Sequence, residues 1–296
     1  MDIETATDGH FLAGAAGDRA EFSRNWNLRS FRFAHTLNRS GLFSIENLIA
    51  FAQRFPDGHF WSNEEGDVGD GWQSRKRLSL PETLARIDEG QSLCVLKHVE
   101  RDPDIGPGLE RIIQQVLACA SPQQRADVTH TRATLLVASP WRITNYHIDA
   151  DLNYLFQIAG AKRISVFSHI DRELVTHEEL ERFYVGDLDS VPYRDVFQPS
   201  AVEYRLDGGD GIHIPVAAPH WAKNGDNVSI ALSINFNLHS VRKLSRIYRA
   251  NRLLRKLGVQ PAPPSEPMAL ARDRIKLASV NAALKTGLLK PGPHWQ

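Results

Sequence analysis

The stretch Thr144–Phe167, which reads TNYHIDADLNYLFQIAGAKRISVF, decides the predicted fold and site of this chain. His147 and Asp149 stand two residues apart, so on a β-strand their imidazole and carboxylate point to the same face. Residues 153–158 alternate again, with both polar side chains on one face, and Gly160 then interrupts the pattern. The stretch therefore predicts three short strands, of which the first offers two metal ligands side by side.

The third of these strands places a lysine on an apolar face. Lys162 shares its side of the strand with Ile164 and Val166. A buried ammonium group is costly unless an anion compensates its charge, so this position predicts a carboxylate bound nearby. Together with His147 and Asp149, the lysine indicates an iron site with a carboxylate cosubstrate beside it.

A triad of two histidines and one carboxylate leaves three positions open on iron, so a second histidine is needed from a distant strand. Among the 12 histidines, His220 is the best candidate because it follows a glycine-rich turn and a short strand over 209–215. His213 lies between Ile212 and Ile214, and it is expected to face away from the core if those two residues face inward.

The composition is that of an ordinary globular protein of 296 residues, 42% hydrophobic and 24% charged. Lys+Arg and Asp+Glu both number 35, so the net charge gives no argument for a nucleic acid or membrane partner. We recognise no secretory signal, and the apolar runs are too short for a bilayer span. Cys94 and Cys119 have no C-x-x-C spacing, which favours a reduced, cytoplasmic protein.

Short strands separated by glycine and proline turns favour a β-sandwich or barrel over a parallel sheet. Predicted helices cover 42–55 (N-cap Ser44), 80–89 (capping box Ser79 and Glu82), 109–119, a short segment after the capping box of Thr176 and Glu179, 241–257 and 269–285. Predicted strands outside the central stretch cover 92–99, 131–138, 201–206, 211–214 and 228–236, and a polar loop covers 58–71. The chain divides into a poorly ordered segment 1–20, N-terminal helical and β elements over 21–130, a β core over 131–240 and a C-terminal helical extension over 241–296.

Two spaced motifs together resemble a known family. The pattern H-x-D-x(3)-N-x(3)-Q-I-x-G-x-K covers 147–162, and G-D-x(3)-I-P-x(4)-H covers 209–220. They are similar to those of the JmjC/cupin-like family of Fe(II)- and 2-oxoglutarate-dependent oxygenases, in particular its asparaginyl hydroxylases. The resemblance extends over about 144–236. It implies a mainly β fold with a double-stranded β-helix (jelly-roll or cupin) core, N-terminal helices and a C-terminal helical extension.

The resemblance also implies the roles of the site residues. His147, Asp149 and His220 are expected to bind iron and form the catalytic centre. Lys162 is expected to pair with the distal carboxylate of 2-oxoglutarate, and its apolar face independently calls for such an anion.

Four polar residues complete the predicted binding site for the cosubstrate. The resemblance implies that Thr144 and Asn235 assist the lysine. Asn235 lies on a face of small residues, which leaves room for a ligand, whereas Thr144 needs a bulge to turn it toward the face of His147. Asn153 and Gln157 share a face, and each is expected either to line the pocket or to form a structural hydrogen bond.

The resemblance implies a hydroxylase of a protein or peptide side chain that consumes 2-oxoglutarate and releases succinate. Asp149, rather than a glutamate, is more similar to the hydroxylases than to most histone demethylases. Three alternatives stay open: a JmjC-type N-methyl demethylase, a cupin metalloenzyme without 2-oxoglutarate, and a non-catalytic regulator that binds a metal or ligand. A small-molecule substrate is also an open alternative.

The segment 241–257 is a predicted helix with seven basic residues, no acid and an apolar stripe. We interpret it first as a helix docked on the barrel or on a second copy of the chain. Because the resemblance implies dimerisation through C-terminal helices, a homodimer is one expectation. Binding of the basic face over 242–256 to nucleic acid or an acidic partner is the alternative.

Overall fold

The computed structural model describes residues 12, 18–55, 59–63, 67–70, 76–265, 268, 270–290 and 292. The strands are β1 (Phe31–Ala34), β2 (Phe60–Ser62), β3 (Leu93–Lys97), β4 (Val128–Ala138), β5 (Ile143–His147), β6 (Leu152–Ala159), β7 (Lys162–Val166), β8 (Val202–Leu206), β9 (Asp210–Ile214), β10 (His220–Asn224) and β11 (Ser229–Leu238). The helices are α1 (Asp18–Asn25), α2 (Ile45–Arg54), α3 (Leu80–Ala85), α4 (Gly106–Cys119), α5 (Pro122–Asp127), α6 (His177–Phe183), α7 (His239–Lys256) and α8 (Ala271–Lys285). Most of the predicted poorly ordered segment 1–20 lies outside the described residues.

The strands form two antiparallel sheets that share one winding pattern. The larger sheet has the order β1-β9-β6-β11-β4-β3-β2, and the smaller sheet has the order β5-β10-β7-β8. From β4 onward the chain passes back and forth between the sheets, so that each sheet takes four of the last eight strands. This is the double-stranded β-helix, with β1, β2 and β3 extending the larger sheet. The predicted fold class is therefore confirmed.

The outer face of the larger sheet is covered by the N-terminal helices. Tyr154 and Phe156 of β6 are buried there, as are Ile234 and Phe236 of β11. The ring of Phe22 in α1 stacks on that of Tyr154, with 5.5 Å between the ring centroids. Because alternate strand residues point to opposite faces, the intervening residues of β6 and β11 face the space between the sheets.

The local signals for helix starts are confirmed. The Ser44 side chain accepts the N–H of Asn47 at 3.3 Å and caps α2. Capping boxes open α3, at Ser79 and Glu82, and α6, at Thr176. The predicted helix over 80–89 is wrong in length, since α3 ends at Ala85 and a turn follows.

The predicted loop over 58–71 is wrong in part, because its described residues include β2. Trp61 lies opposite Cys94 in an antiparallel pair with β3. The pairing joins residues distant in sequence, so local composition does not indicate it. Farther along the segment, the Asn145 side chain donates to the backbone oxygens of Asp67 and Asp70, each at 2.9 Å, and ties this region to β5.

The basic helix α7 packs against α6 and α8 of its own chain. Arg255 makes two hydrogen bonds to the buried Glu181 of α6, at 2.8 and 3.0 Å. Arg246 donates to Asn281 of α8 at 2.8 Å. The predicted docking of this helix on the chain is thus observed, and the homodimer and the nucleic-acid partner stay predictions. Within the described ranges, no helix combines the length and hydropathy needed to cross a membrane.

Gly160 connects β6 to β7 and sets the position of the strand that begins with Lys162. Its φ is +73°, and an added Cβ would clash with the carbonyl oxygen of Val228. We expect Gly160→Ala to lower the free energy of unfolding by about 3 kcal/mol or more, from left-handed strain plus the clash.

Gly258→Ala is the matched control, because Gly258 has a φ of +82° but nothing within 4 Å of the added Cβ. It isolates the conformational strain and is expected to cost about 1 kcal/mol. Urea denaturation of both variants measures the difference. Equal decreases in the free energy of unfolding of the two variants would show that the clash with Val228 does not contribute to the destabilisation by Gly160→Ala.

Candidate metal centre

His147, Asp149 and His220 converge between the two sheets. His147 is the last residue of β5 and lies directly opposite His220, the first residue of β10. The Nε2 atom of His147 lies 3.9 Å from Oδ2 of Asp149, and the corresponding distance from His220 is 3.8 Å. One ligand atom from each residue fits within a group no wider than 4.8 Å.

Backbone carbonyls fix which nitrogen of each histidine faces the cluster. Nδ1 of His147 lies 2.7 Å from the carbonyl oxygen of Asn145, and Nδ1 of His220 lies 3.0 Å from that of Ala218. A carbonyl only accepts, so both Nδ1 atoms carry the proton and both Nε2 lone pairs are directed at the cluster.

The electrostatics of the cluster favour a neutral imidazole at His220. Burial first, and then the neighbouring His147, lower the pKa of His220 to about 4. A proton therefore does not compete with a cation for this nitrogen near neutral pH. Asp149 follows β5 in a loop, and its backbone oxygen accepts the N–H of Ala217 at 2.8 Å. That bond ties the acid to the segment just before His220.

Lys162 begins β7 and lines the same cavity with only 7% of its surface exposed. It forms no ion pair with a described residue, and burial lowers its pKa to about 8. Along β10, Asn224 is opposite Lys162 and His220 is opposite Val166. That four-residue offset is about 13 Å along the strand, a gap that a lysine side chain and a short dicarboxylate can bridge together.

Thr144 faces the cavity because the pairing of β5 with β10 is irregular. His147 is paired with His220 and Thr144 with Ala222, so three steps on β5 match two on β10. This extra residue is the bulge that the sequence required, and it brings Thr144 to the face of His147. Thr144 consequently lines the cavity between the histidines and Lys162.

Asn153 and Asn235 are paired across β6 and β11 and both line the cavity. Each donates through Nδ2 to Oγ of Ser233, at 2.9 and 3.1 Å. Oδ1 of Asn153 is buried without a hydrogen-bond partner among the described residues. Gln157 instead donates hydrogen bonds to Ala159, Gly160 and Ser229 near the following turn. Of the two expectations for Gln157, the structural hydrogen bond is therefore the one observed.

The cavity between the sheets has a volume of about 900 Å³ and changes character along its length. Its buried part combines apolar side chains such as Leu155 and Ile164 with the polar side chains of Lys162 and Asn153. Its mouth is lined by exposed polar residues from β3 and β4, among them Lys97 and His130. No tryptophan, tyrosine or phenylalanine is among its lining residues in the described part of the chain.

A polar network beside the cluster is not indicated by either sequence motif. Arg132 of β4 pairs with Asp151 at 2.6 Å, and Asn237 donates a hydrogen bond to the same carboxylate. Asp151 continues the two-residue spacing of His147 and Asp149. This spacing was the signal in the sequence that Asp151 lies beside the metal cluster. Its arginine partner comes from a distant strand that no local pattern connects to it.

The expectation for His213 is half right. The side chain points away from the metal cluster, but it is fully buried among aromatic residues rather than outside the core. It packs against Tyr154, with 4.6 Å between ring centroids, and against Phe31, at 5.1 Å. The N-terminal elements cover this face of the sheet, so both faces of β9 are buried. Burial lowers the pKa of His213 to about 3, which keeps it neutral.

The fold is similar to that of solved YcfD structures from Escherichia coli. An X-ray structure of E. coli ycfD has a TM-score of 0.54 at 18% identity, covering 94% of this chain and 69% of that one. A structure of YcfD, described as a ribosomal oxygenase, contains cobalt and 2-oxoglutarate. It has a TM-score of 0.53 at 17% identity, covering 93% of this chain and 68% of that one. A crystal structure of the E. coli ribosomal oxygenase YcfD gives 0.50 at 17%, with the same coverage.

No protein-family model matches the chain, and no curated protein sequence matches it. At identities of 17–18% the structural likeness establishes the fold. The chain thus has the double-stranded β-helix fold of the YcfD structures, with a group of two histidines and one aspartate in its central cavity.

We expect the full chain to bind one divalent transition-metal ion at this group. His147→Ala, Asp149→Ala and His220→Ala should each weaken Co(II) binding by about a hundredfold or more, since even residues behind a ligand contribute about ten- to hundredfold. Calorimetry and the visible spectrum of Co(II) measure this. His130→Ala, an exposed histidine in the same cavity, is the control. Equal loss in the control would exclude the proposed ligand set.

Proposed function

We propose that the protein is an Fe(II)- and 2-oxoglutarate-dependent oxygenase that hydroxylates a side chain of a protein or peptide. The observation that supports this most strongly is the shared cavity of the His147–Asp149–His220 group and the unpaired, buried Lys162. A metal group alone fits many activities. A buried ammonium group beyond it, with no acidic partner among the described residues, adds a specific requirement for a carboxylate ligand.

The donor set fits iron. Two neutral imidazoles and one carboxylate form the triad that leaves three coordination positions for other ligands. When bound, iron and 2-oxoglutarate supply the activation of dioxygen and the electrons for it, with succinate as the coproduct. His147, Asp149 and His220 would hold the ion, with both histidines oriented beforehand by backbone carbonyls.

The remaining cavity residues would orient the cosubstrate. The ammonium group of Lys162 would neutralise its distal carboxylate in a buried setting, where a charged hydrogen bond is strong. Thr144 and Asn235, which line the cavity from the two sheets, would add hydrogen bonds to the cosubstrate. Asn153 donates a hydrogen bond to Ser233 and would help to hold that side of the cavity in position. The apolar side chains of the lining, such as Leu155 and Ile164, would exclude water from the reacting groups.

The comparisons support a macromolecular substrate. The solved structures with this fold are described as a ribosomal oxygenase, and one is in complex with cobalt and 2-oxoglutarate. A protein or peptide substrate for this chain follows by analogy of fold. We retain the cytoplasm as the predicted location, because Cys94 and Cys119 are both buried thiols without a disulfide.

Turnover tests the proposed reaction against a regulator that only binds a ligand. We expect succinate release that requires both Fe(II) and 2-oxoglutarate, and we expect His147→Ala and Asp149→Ala to reduce it to background. The measurement is succinate formation with a peptide library, with His130→Ala as the active control. If ligand-bound protein released no succinate with any peptide, the regulator would be the better interpretation.

The pH dependence of 2-oxoglutarate binding tests the role of Lys162. Its pKa of about 8 means that the ammonium form is present below that pH and is lost above it. We therefore expect the affinity for 2-oxoglutarate to be constant at lower pH and to fall by up to about tenfold per pH unit above about pH 8. Calorimetry on the Mn(II)-loaded protein measures this.

Two variants at the same position provide the controls. Lys162→Ala should bind 2-oxoglutarate weakly at every pH, because the positive charge is absent. Lys162→Arg should show no fall in affinity over the same pH range, because a guanidinium stays protonated. A wild-type affinity that does not change with pH would remove Lys162 from its proposed role.

A further inference from the structure

The cavity as a whole has an excess of positive charge, and its mouth contributes two of the cations. The lining of the whole cavity includes five lysines and arginines against two aspartates, namely Lys97, Arg101, Arg132, Lys162 and Arg242 against Asp149 and Asp151. Lys97 and Arg101 are exposed and form no ion pair with any described residue. They come from β3 and from the turn after it, on one wall of the opening.

The acidic residues near these two cations are engaged elsewhere. Glu100 accepts the backbone N–H of Ala133 at 3.1 Å and lies 3.3 Å from His98. Asp102 is fully buried and pairs with Arg54 at 2.6 Å. The described carboxylates of this turn therefore form no ion pair with Lys97 or Arg101.

Loading of the centre would not neutralise the mouth either. The two charges of a ferrous ion offset those of the dicarboxylate, and Lys162 offsets Asp149. Arg132 is already paired with Asp151 at 2.6 Å. Of the remaining cations, Lys97 and Arg101 lie where a substrate would approach and form no ion pair with a described residue. An uncompensated pair of cations attracts anions and raises the cost of binding another cation.

We infer that the substrate of this centre presents carboxylate groups, and that Lys97 and Arg101 bind an acidic peptide segment next to the oxidised side chain. This inference rests on the proposed function, and it specifies the class of substrate. Single-stranded nucleic acid is disfavoured because no tryptophan, tyrosine or phenylalanine among the described lining residues offers a stacking surface. A methylated lysine is disfavoured as well, because it is itself a cation and the wall repels it.

The test is the binding of fluorescein-labelled octaglutamate to the full chain, followed by fluorescence anisotropy at about 50 mM salt, where surface charges are weakly screened. We expect saturable binding that is about tenfold weaker in the double variant Lys97→Ala/Arg101→Ala, the scale of two exposed charge pairs. Both residues are exposed, so the fold should be retained, as circular dichroism can verify.

The matched control is Lys223→Ala/Arg163→Ala. These residues are also one lysine and one arginine, both exposed, and they are paired across β10 and β7 on the smaller sheet outside the cavity. This variant changes the net charge by the same amount, and binding should stay within about twofold of the wild type. An equal loss in the control, a tighter complex with octalysine, or no saturable binding of octaglutamate would overturn the inference.

Two competitors identify the source of the carboxylates. Displacement by glutarate at an equal carboxylate concentration would support recognition of a small acid by the same two residues, and its failure would support the peptide. Tighter binding of octathymidylate than of octaglutamate would overturn the inference in favour of phosphate. Octaglutamate binding is measured on metal-free protein and on protein loaded with Mn(II) and 2-oxoglutarate. The mouth residues are present in both forms, so binding to the metal-free protein tests this inference independently of the proposed function.

Discussion

The register of β10 against β5 is the constraint on which the candidate site depends. It sets His220 opposite His147, so that two imidazoles distant in sequence meet at one end of a pair of strands. A shift by one residue would turn the side chains of one strand to the opposite face and separate the histidines. The bulge in the same pair turns Thr144 inward, so a single irregular ladder positions groups at both the metal end and the middle of the cavity.

The larger sheet stabilises the fold through one face and leaves the other face for polar residues. Aromatic residues such as Tyr154 and Phe236 pack beneath the N-terminal helices and provide a large apolar core on one face. The other face is therefore able to present asparagines, a serine and charged residues without loss of the fold. Buried polar groups such as Asn153 are costly unless satisfied, and neighbouring strands satisfy most of them.

Much of the fold and of the candidate site could be predicted because the relevant signals are local. Each of these signals spans only a few residues. They are the alternation in β6 and β11, the capping residues of α2 and α6, and the spacing of His147 and Asp149. The need for a bulge or bend at Thr144 followed from strand alternation once the resemblance placed Thr144 on the face of His147. The roles of these residues in binding iron and 2-oxoglutarate stay predictions, although the structure brings the residues together.

What could not be predicted depends on pairing over long sequence distances. β2 exists because it adds to β3. Arg132 meets Asp151 because β4 and β6 lie on either side of β11 in the larger sheet and Asp151 directly precedes β6. His213 was misjudged because the sequence of β9 does not reveal that N-terminal elements cover its second face. The charged wall at Lys97 and Arg101 lies outside both motifs, and only the strand order of the larger sheet places it at the cavity.

The two-sided character of β11 has a consequence for how this protein could diversify. Residues at odd positions, such as Ser233 and Asn235, face the ligand space, whereas Ile234 and Phe236 between them belong to the aromatic core. Substitutions on the first set alter what the cavity accepts without removing the packing that holds the strand in place. Selectivity and folding can therefore be tuned separately along one segment, which makes this strand the natural starting point for redesigning what the cavity binds.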